Sequence, residues 1–341
     1  MSEHRTRVVV IGGGYAGVIA ANHLRLRPDV DITLVNPRPD FVERIRLHQR
    51  VTGSDDALVS YAEILGPGIE LVVDAATRID PADRRVLLFD GAPLHYDYLI
   101  YAVGSGSAQS AIPGVDEFAY PIAELEQAQR LGAALDDLHH GAPVCVVGAG
   151  PTGIETAAEL AEQGRIVTLV CGSVLGPYLS TGGRRSVARR LRRLGVEIVD
   201  GPGATVTAVA ADAVTLQDGR RLPSFVTIWT AGFGVPDLAA RSGLRTDAVG
   251  RLLTDETLTS VDDERIVAAG DAAAPSDEPL RMSCQAAIPL GAQAANTVLA
   301  RIAGDRPSPI DQAFTGQCIS LGRGAGIIQL AHKNDTAIPL Y

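Results

Sequence analysis

The sequence of 341 residues has almost no lysine, because only Lys333 among its 30 basic residues is a lysine and the others are arginines. Lysine-based chemistry is therefore limited to one position. Cysteine is also scarce: Cys145, Cys171, Cys284 and Cys318 lie far apart, without a CxxC spacing. This pattern excludes a zinc ribbon, a thioredoxin-type active site and a secreted disulfide framework, and it favours the reducing cytoplasm.

The charge balance and the amino terminus exclude two further classes of protein. A net charge of -10, without a basic tract that carries interleaved aromatic residues, argues against a nucleic-acid partner. Residues 1–7 lack the apolar core of a signal peptide, and glycines within the apolar run 8–24 make that run a poor membrane span. Hydrophobic residues at 46% and a length of 341 residues predict a globular chain of two domains with a short third piece.

Two segments of the chain repeat one pattern of strand, glycine turn, helix and strand. The first contains GGGYAG at residues 12–17, a helix to about residue 25 and a strand at residues 31–35. The second contains GAGPTG at residues 148–153 and a strand at residues 166–170. A βαβ unit of this length places its two strands side by side in a parallel sheet. The predicted fold class is therefore α/β, with two separate nucleotide sites.

Both turns have the GxGxxG spacing that suits a pyrophosphate. The first glycine permits the turn, the second lets the backbone approach the phosphates, and the third lets helix and strand pack closely. An empty glycine-rich turn is the alternative interpretation of one copy, and the second copy disfavours it. The glycines concerned are Gly12, Gly14 and Gly17 in the first turn and Gly148, Gly150 and Gly153 in the second.

Both second strands end without the carboxylate that usually binds the adenosine ribose. Asn36 ends the first strand, and its amide can both donate hydrogen bonds to a diol and accept them from it. Cys171 ends the second strand, where the missing acid removes repulsion toward a 2′-phosphate. Arg184 and Arg185 would pair with such a phosphate, although they also fit a surface helix. The choice between NADH and NADPH therefore stays open.

Further motifs follow the two turns in an order that resembles a known superfamily. YAVGS at residues 101–105, WTAGF at 229–233 and VAAGDAA at 267–273 resemble motifs of the FAD-dependent pyridine nucleotide-disulfide oxidoreductases. Within that superfamily, FVERIRLHQ at 41–49 and FTGQCISLGR at 314–323 resemble segments of type II NADH dehydrogenases and apoptosis-inducing-factor-like flavoproteins. The resemblance covers nearly the whole chain.

The resemblance implies two Rossmann-like domains of the glutathione-reductase type and a short, incomplete carboxy-terminal segment. The implied FAD-binding domain comprises residues 1–112 and 245–305, the NAD(P)-binding domain residues 113–244, and the flavin-covering segment residues 306–341. For His48, a structural role with satisfied hydrogen bonds is the alternative interpretation. The implied FAD contacts are Gly12, Gly14, Gly17, Asn36, Arg44, His48, Ala102, Gly104, Asp271 and Ala286, with Gln285 as a catalytic residue at the start of the helix under the flavin. The implied nicotinamide dinucleotide contacts are Gly148, Gly150, Gly153, Cys171, Arg184 and Gly232.

Glu155 resembles the family carboxylate beside the nicotinamide and the flavin, and we predict that it is catalytic. Related reductases often pair this carboxylate with a lysine, and this chain has none before Lys333. We therefore expect an unpaired carboxylate with a raised pKa, suited to proton transfer. The alternative interpretation is a glutamate on an exposed helix surface.

Redox chemistry through a pair of cysteines is disfavoured by the sequence. Disulfide reductases carry their redox cysteine pair shortly after the first βαβ unit. Residues 41–48 contain no cysteine. Cys284 precedes the flavin-facing helix, and its partners as a redox thiol would be Cys145 or Cys318, both in strand-like contexts that we expect to be buried. Inert packing is the preferred interpretation of these thiols.

The resulting hypothesis is an enzyme that passes hydride from NADH or NADPH to FAD and then electrons to a quinone or a similar small acceptor. A ferredoxin-type reductase, a soluble biosynthetic flavoenzyme and a non-enzymatic NAD(P)H sensor are the alternatives. We expect a cytoplasmic protein, with peripheral association at the cytoplasmic face of the membrane and oligomer formation both left open. The amphipathic helices that seat type II NADH dehydrogenases on membranes are not visible in the sequence.

Overall fold

The computed structural model describes residues 5–276, 279–312 and 314–341. Residues 1–4, which belong to the segment predicted to lack a signal peptide, lie outside the described residues. The helices are α1 (Tyr15–Leu24), α2 (Leu47–Val51), α3 (Tyr61–Ile64), α4 (Val115–Phe118), α5 (Leu125–Asp136), α6 (Pro151–Glu162), α7 (Thr181–Arg193), α8 (Leu238–Arg241) and α9 (Cys284–Ala303), with 3-10 turns at Arg44–Arg46 and Gly270–Ala272. The strands are β1 (Thr6–Ile11), β2 (Val30–Asn36), β3 (Asp40–Val42), β4 (Leu58–Ser60), β5 (Ile69–Val73), β6 (Ala76–Asp80), β7 (Arg85–Leu88), β8 (Leu94–His95), β9 (Tyr98–Tyr101), β10 (Gly106–Ser107), β11 (Ala119–Pro121), β12 (Pro143–Val147), β13 (Ile166–Gly172), β14 (Glu197–Asp200), β15 (Val206–Ala210), β16 (Ala213–Leu216), β17 (Arg221–Pro223), β18 (Val226–Trp229), β19 (Phe233–Gly234), β20 (Leu252–Thr254), β21 (Ile266–Ala268), β22 (Ala273–Pro275), β23 (Gly316–Ser320) and β24 (Gly326–Leu330).

The chain divides into two compact units, each built from three stretches of sequence. The first unit comprises Met1–Val42, Leu58–Gly106 and Gly234–Gln312, and the second comprises Glu43–Ala57, Ser107–Phe233 and Ala313–Tyr341. The segment 43–57 therefore clusters with the second unit, although it follows the first βαβ pattern directly in sequence. The assignment of one cofactor to each unit stays a prediction.

The first unit contains a five-stranded parallel sheet in the order β21-β9-β1-β2-β5. Its central strands carry apolar side chains that are buried on both faces, as in α/β proteins whose sheets are covered by helices. α1 packs closely on α9, because Gly291 has no Cβ and a Cβ there would overlap the carbonyl oxygen of Ala16. β21 pairs with β9, so the chain returns near residue 266 to the sheet of the first glycine turn.

The second unit repeats this architecture with a parallel sheet in the order β11-β18-β12-β13-β14. In both sheets the strand before the glycine turn lies third in the order, and the strand after the helix pairs directly with it. Buried side chains of this sheet, such as Cys145 and Val170, share one apolar cluster with Val214 and Leu216 of the antiparallel β15-β16-β17 sheet. The predicted internal duplication is thus present as two βαβ units of equal strand order.

The carboxy-terminal part of the second unit is a hairpin in which β23 and β24 pair antiparallel, with Ser320 opposite Gly326. β24 begins only at Gly326, after the turn that joins it to β23. Gly322 has a φ of +89°, a left-handed conformation that belongs to a turn and that interrupts a strand. No helix within the described residues combines the length and the hydrophobicity that a membrane crossing requires.

Candidate functional site

The first glycine turn, in the first unit, has the backbone geometry of a phosphate cradle. Gly12 has a φ of +102°, and a Cβ at Gly12 would overlap the carbonyl oxygen of Ala102. A Cβ at Gly17 would overlap the carbonyl oxygen of Gly12, so this glycine lets α1 start close against β1. Gly14 differs, because a Cβ there would meet nothing within 4 Å. The turn is closed on the protein side and open at Gly14, at the amino terminus of α1, where an anion is stabilised.

Asn36 and Tyr61 hold the first turn in place. The backbone N–H of Gly13 donates to Asn36 Oδ1 at 3.0 Å, and the Tyr61 hydroxyl donates to the carbonyl oxygen of Gly13 at 2.7 Å. The Asn36 amide nitrogen donates to the carbonyl oxygen of Arg38 at 2.8 Å. Asn36 thus orders the loop, and its contact with a ribose stays a prediction. Tyr61 was missed because no motif links it to the turn.

Asp271 lies in the 3-10 turn Gly270–Ala272, and two serines donate hydrogen bonds to its carboxylate. Ser105 Oγ donates to Asp271 Oδ2 at 2.7 Å, and the backbone N–H of Ser283 donates to Oδ1 at 3.1 Å. Ser283 also caps α9, since its hydroxyl accepts from the backbone N–H of Ala286 at 3.2 Å. Gln285 is the second residue of that helix. The four predicted residues Ala102, Gly104, Asp271 and Gln285 all belong to the first unit, and Ser283 was not predicted.

The second glycine turn, in the second unit, repeats the geometry of the first. Gly148 has a φ of +138°, and a Cβ there would overlap the Thr230 hydroxyl, which donates to the carbonyl oxygen of Val147 at 2.9 Å. A Cβ at Gly153 would overlap the carbonyl oxygen of Gly148, whereas one at Gly150 would meet nothing within 4 Å. The open position is again the central glycine at the amino terminus of the following helix, α6.

Three further predicted nucleotide contacts lie in the same unit as this turn. Gly232 has a φ of +86° and follows β18. The Cys171 thiol is buried at the end of β13, and this burial raises its pKa to about 12. Arg184 donates from Nε to the carbonyl oxygen of Leu175 at 2.8 Å, so its guanidinium braces the loop after β13.

Arg44 and His48 lie in the segment 43–57 of the second unit. Arg44 Nε donates to the carbonyl oxygen of Ala123 at 2.9 Å. His48 is 4% exposed and lies between two glutamates of α6: its Nδ1 is 3.9 Å from Glu155 Oε2, and its Nε2 is 4.0 Å from Glu159 Oε1. Contacts of Arg44 and His48 with FAD stay predictions.

The environment of Glu155 is that of a carboxyl group able to hold a proton near neutral pH. Burial, with a smaller contribution from the charge of Glu159, raises the pKa of Glu155 to about 7, while the backbone N–H of Ser320 and Arg323 oppose the rise. The same burial lowers the pKa of His48 to about 4, assisted by the charge of Arg323. The raised pKa of Glu155 is therefore confirmed.

Within the described residues Glu155 forms no ion pair with a lysine or an arginine, in agreement with the expectation, but its carboxylate has other contacts. The backbone N–H of Ser320 donates to Glu155 Oε1 at 3.0 Å, and the carboxylate lies beside His48. The side chain is only 17% exposed, which contradicts the alternative of an exposed helix surface. A cation that sequence reasoning missed, Arg323 of the β23–β24 turn, forms an ion pair with the buried carboxylate of Glu159. The only sequence signal for Arg323 was its place in the motif at residues 314–323.

The cysteines show one error of the sequence-based interpretation. Cys145 and Cys171 are buried, and burial raises the pKa of the Cys145 thiol to about 12, so neither thiol is poised for redox chemistry. Cys318 is exposed, contrary to the expectation of a buried strand context. The hairpin β23–β24 turns one face to solvent, so that alternate residues such as Cys318 and Ile328 lie outside the core.

Two cradles of this kind, each on its own parallel sheet, define a protein that binds two dinucleotides. The chain belongs to the pyridine nucleotide-disulphide oxidoreductase family, which matches residues 6–291. It is 34% identical over 324 residues to an NADH dehydrogenase-like protein of Mycobacterium tuberculosis, covering 86% of this chain and 80% of that protein. It is 30% identical over 379 residues to a type II NADH:quinone oxidoreductase of the same organism, covering 96% of this chain and 80% of that protein.

Solved structures share the fold at low sequence identity. The structure of NDH2 from Plasmodium falciparum in complex with NADH has a TM-score of 0.82 at 16% identity, covering 96% of this chain and 90% of that chain. Reduced CoADR-RHD from Bacillus anthracis has a TM-score of 0.81 at 21% identity, and this chain spans 62% of its length. The protein is thus an oxidoreductase that uses FAD and a nicotinamide dinucleotide.

Proposed function

We propose that the protein passes reducing equivalents from NADH or NADPH through FAD to a quinone or a similar small acceptor. The observation that carries the proposal is the pair of glycine turns, built alike in two separate units and each open at its central glycine, Gly14 and Gly150. The acceptor is suggested by the related type II NADH:quinone oxidoreductase, which aligns with 96% of this chain.

Each unit offers residues that fit one of the cofactors. In the first unit, Gly14 would admit the FAD pyrophosphate, while Asp271 would approach the ribitol end. In the second unit, Gly150 would admit the pyrophosphate of the nicotinamide dinucleotide. FAD, when bound, supplies the exchange between two-electron donors and the acceptor. The protein would hold the two cofactors in position and supply the charged groups around them.

The overall reaction needs a proton that the nucleotide does not provide. NAD(P)H delivers one hydride, and a quinone takes up two electrons and two protons to become a quinol, so one proton must enter from the protein or the solvent. Glu155 supports this role, because its carboxyl group is buried and holds its proton up to about pH 7. We assign Glu155 to proton delivery on these grounds.

Anaerobic stopped-flow spectroscopy tests the proposal. The purified flavoprotein is mixed with NADH or with NADPH, and the reduced protein is then mixed with a water-soluble quinone. Rapid bleaching followed by rapid recovery is the expected result, and the faster donor is the physiological one. Bleaching without recovery would favour a nucleotide sensor or a different acceptor, and a protein without flavin would refute the assignment of both cradles.

The proposal extends to a cytoplasmic protein that touches an anionic membrane surface. Arg185, Arg189, Arg192 and Arg193 on the outer face of α7 line a groove together with Arg184, Leu175 and one carboxylate, Asp200, and none of the first four arginines forms an ion pair with any described residue. Adjacent like charges on a helix repel, whereas anionic headgroups attract each basic side chain by about 1 kcal/mol. Sedimentation with anionic vesicles, lost in the Arg189→Gln/Arg193→Gln double variant and absent with neutral vesicles, is the expected result; no sedimentation of the parent protein would contradict it.

A further inference from the structure

A chain of charged and titratable groups connects three sequence segments of the second unit. His48 of α2 lies between Glu155 and Glu159 of α6, at 3.9 and 4.0 Å. Arg323 of the β23–β24 turn forms an ion pair with Glu159. With its amide oxygen facing the guanidinium, Gln49 accepts hydrogen bonds from Arg323 Nη1 at 3.1 Å and Nη2 at 2.9 Å. The contacts therefore run from Glu155 to His48, from His48 to Glu159 and from Glu159 to Arg323.

One buried atom in this group of residues lacks a hydrogen bond. His48 Nε2 has no hydrogen-bond partner among the described residues, and it lies 4.0 Å from Glu159 Oε1, the oxygen that pairs with Arg323. Glu159 is 3% exposed, so its charge has little access to water and depends on Arg323. A buried polar atom that stays unsatisfied is costly, so the protonation of His48 depends on the charges beside it.

We propose that Glu159 and Arg323 act as a positioning pair that sets how strongly Glu155 and His48 hold a proton. The two members act in opposite directions on Glu155: the negative charge of Glu159 favours the protonated carboxyl group, and the positive charge of Arg323 favours the carboxylate. Arg323 also repels a proton from His48. The carboxy-terminal hairpin thereby controls the protonation of groups that lie on α2 and α6.

The remaining charged groups around this site form ion pairs of their own, although the charge of Arg46 also lowers the pKa of His48, by less than Arg323 does. On the side of α2, Arg46 pairs with Glu43 at 3.0 Å and with Asp55 at 2.9 Å. On α6, Glu162 pairs with Arg190 at 2.8 Å and accepts from the backbone N–H of Arg323 at 2.6 Å. This last bond survives a change of the Arg323 side chain, so the hairpin stays attached in such a variant. Glu159 and Arg323 are therefore the charges to exchange.

Histidine ring NMR of the holoprotein tests the pair directly. The His48 signal is assigned by its loss in His48→Gln and is titrated in the parent protein, Arg323→Gln and Arg323→Lys. We expect Arg323→Gln to raise the His48 midpoint by about one pH unit, because a neighbouring charge typically shifts a pKa by one unit or more. Arg323→Lys keeps the charge and is expected to keep the midpoint. An unchanged midpoint in Arg323→Gln would overturn the proposal.

The pH profile of quinone-dependent flavin reoxidation supplies the second readout. Arg323→Gln is expected to move the midpoint of this profile to higher pH, and Glu159→Gln to lower pH. The double variant is expected to return near the parent value, because it removes both charges. Slower reoxidation with the same midpoint in all variants would show a merely structural role and would contradict the proposal.

Arg190→Gln is the matched control, because Arg190 binds the same hairpin through the carbonyl oxygen of Leu321 at 3.1 Å and through Glu162. It is expected to leave both midpoints unchanged. The inference rests on the proposed function only for the use of the proton. If the parent protein fails to reduce quinone, the proposed acceptor fails, while the His48 titration, which needs neither donor nor acceptor, still decides the role of Arg323.

Discussion

Replacing Gly14 with valine separates the binding of FAD from the folding of the protein. Gly14 is the residue before α1, with a φ of -79° and a ψ of -167°, an extended conformation that valine adopts readily. A Cβ at this position would meet no atom within 4 Å. We therefore expect the substitution to change the free energy of unfolding by less than about 1 kcal/mol, the scale of a helix-cap substitution.

The cost to FAD binding is expected to be much larger, because the valine side chain would occupy the open face of the turn. A hydrogen bond to a charged group contributes about 1.5–3 kcal/mol, so a pyrophosphate that loses two backbone N–H donors loses about 3–6 kcal/mol. This corresponds to a dissociation constant for FAD that is roughly 140- to 20,000-fold higher. The protein should then purify largely without flavin.

The assay is the flavin absorbance per polypeptide, followed by fluorescence titration of the apoprotein with FAD and by thermal unfolding. Gly150→Val is the matched control, since it makes the same chemical change in the second turn, where a Cβ also meets nothing within 4 Å. It is expected to keep FAD and to lose reduction by NAD(P)H. A yellow Gly14→Val protein with the parent affinity for FAD would refute the placement of the pyrophosphate.

Three further predictions concern other residues of the two cradles and of the acid site. Gly17→Ala should lower the free energy of unfolding in urea by about 1–3 kcal/mol, because its Cβ would overlap the carbonyl oxygen of Gly12; an unchanged value would contradict that contact. Glu155→Gln should keep FAD and slow one half-reaction in stopped-flow mixing most strongly below about pH 7, where the parent carboxyl group is protonated; equal rates would leave Glu155 structural. Arg184→Ala should raise the dissociation constant of NADPH more than that of NADH, and an equal rise would assign Arg184 only to the carbonyl oxygen of Leu175.

The two βαβ units could be predicted from sequence because their signals are local. β-Branched runs, a glycine turn and a following helix fix backbone conformation over about 30 residues, and the helix can return to the sheet in only one hand. The structure accordingly has β1-α1-β2 and β12-α6-β13 where the pattern placed them, with Asn36 and Cys171 at or near the strand ends.

The site around Glu155 could be predicted only in part from the sequence. Glu155 could be singled out because it follows the second glycine turn at a fixed spacing. Its raised pKa results from burial away from water. Its neighbours could not be found in this way. His48 lies more than a hundred residues before Glu155 in sequence, and Arg323 lies more than a hundred residues after it. No local sequence pattern indicates that these residues are close to Glu155 in space.

What the sequence determined by itself is the chemistry of short segments: two phosphate turns, the strands and helices around them, and the absence of a dithiol. The tertiary structure alone decided that residues 43–57 and the carboxy-terminal hairpin cluster with α6, that Cys318 is exposed, and that Arg323 neutralises Glu159. The physical reason is that backbone conformation follows from neighbouring residues, whereas burial and charge pairing depend on which distant surfaces exclude water together.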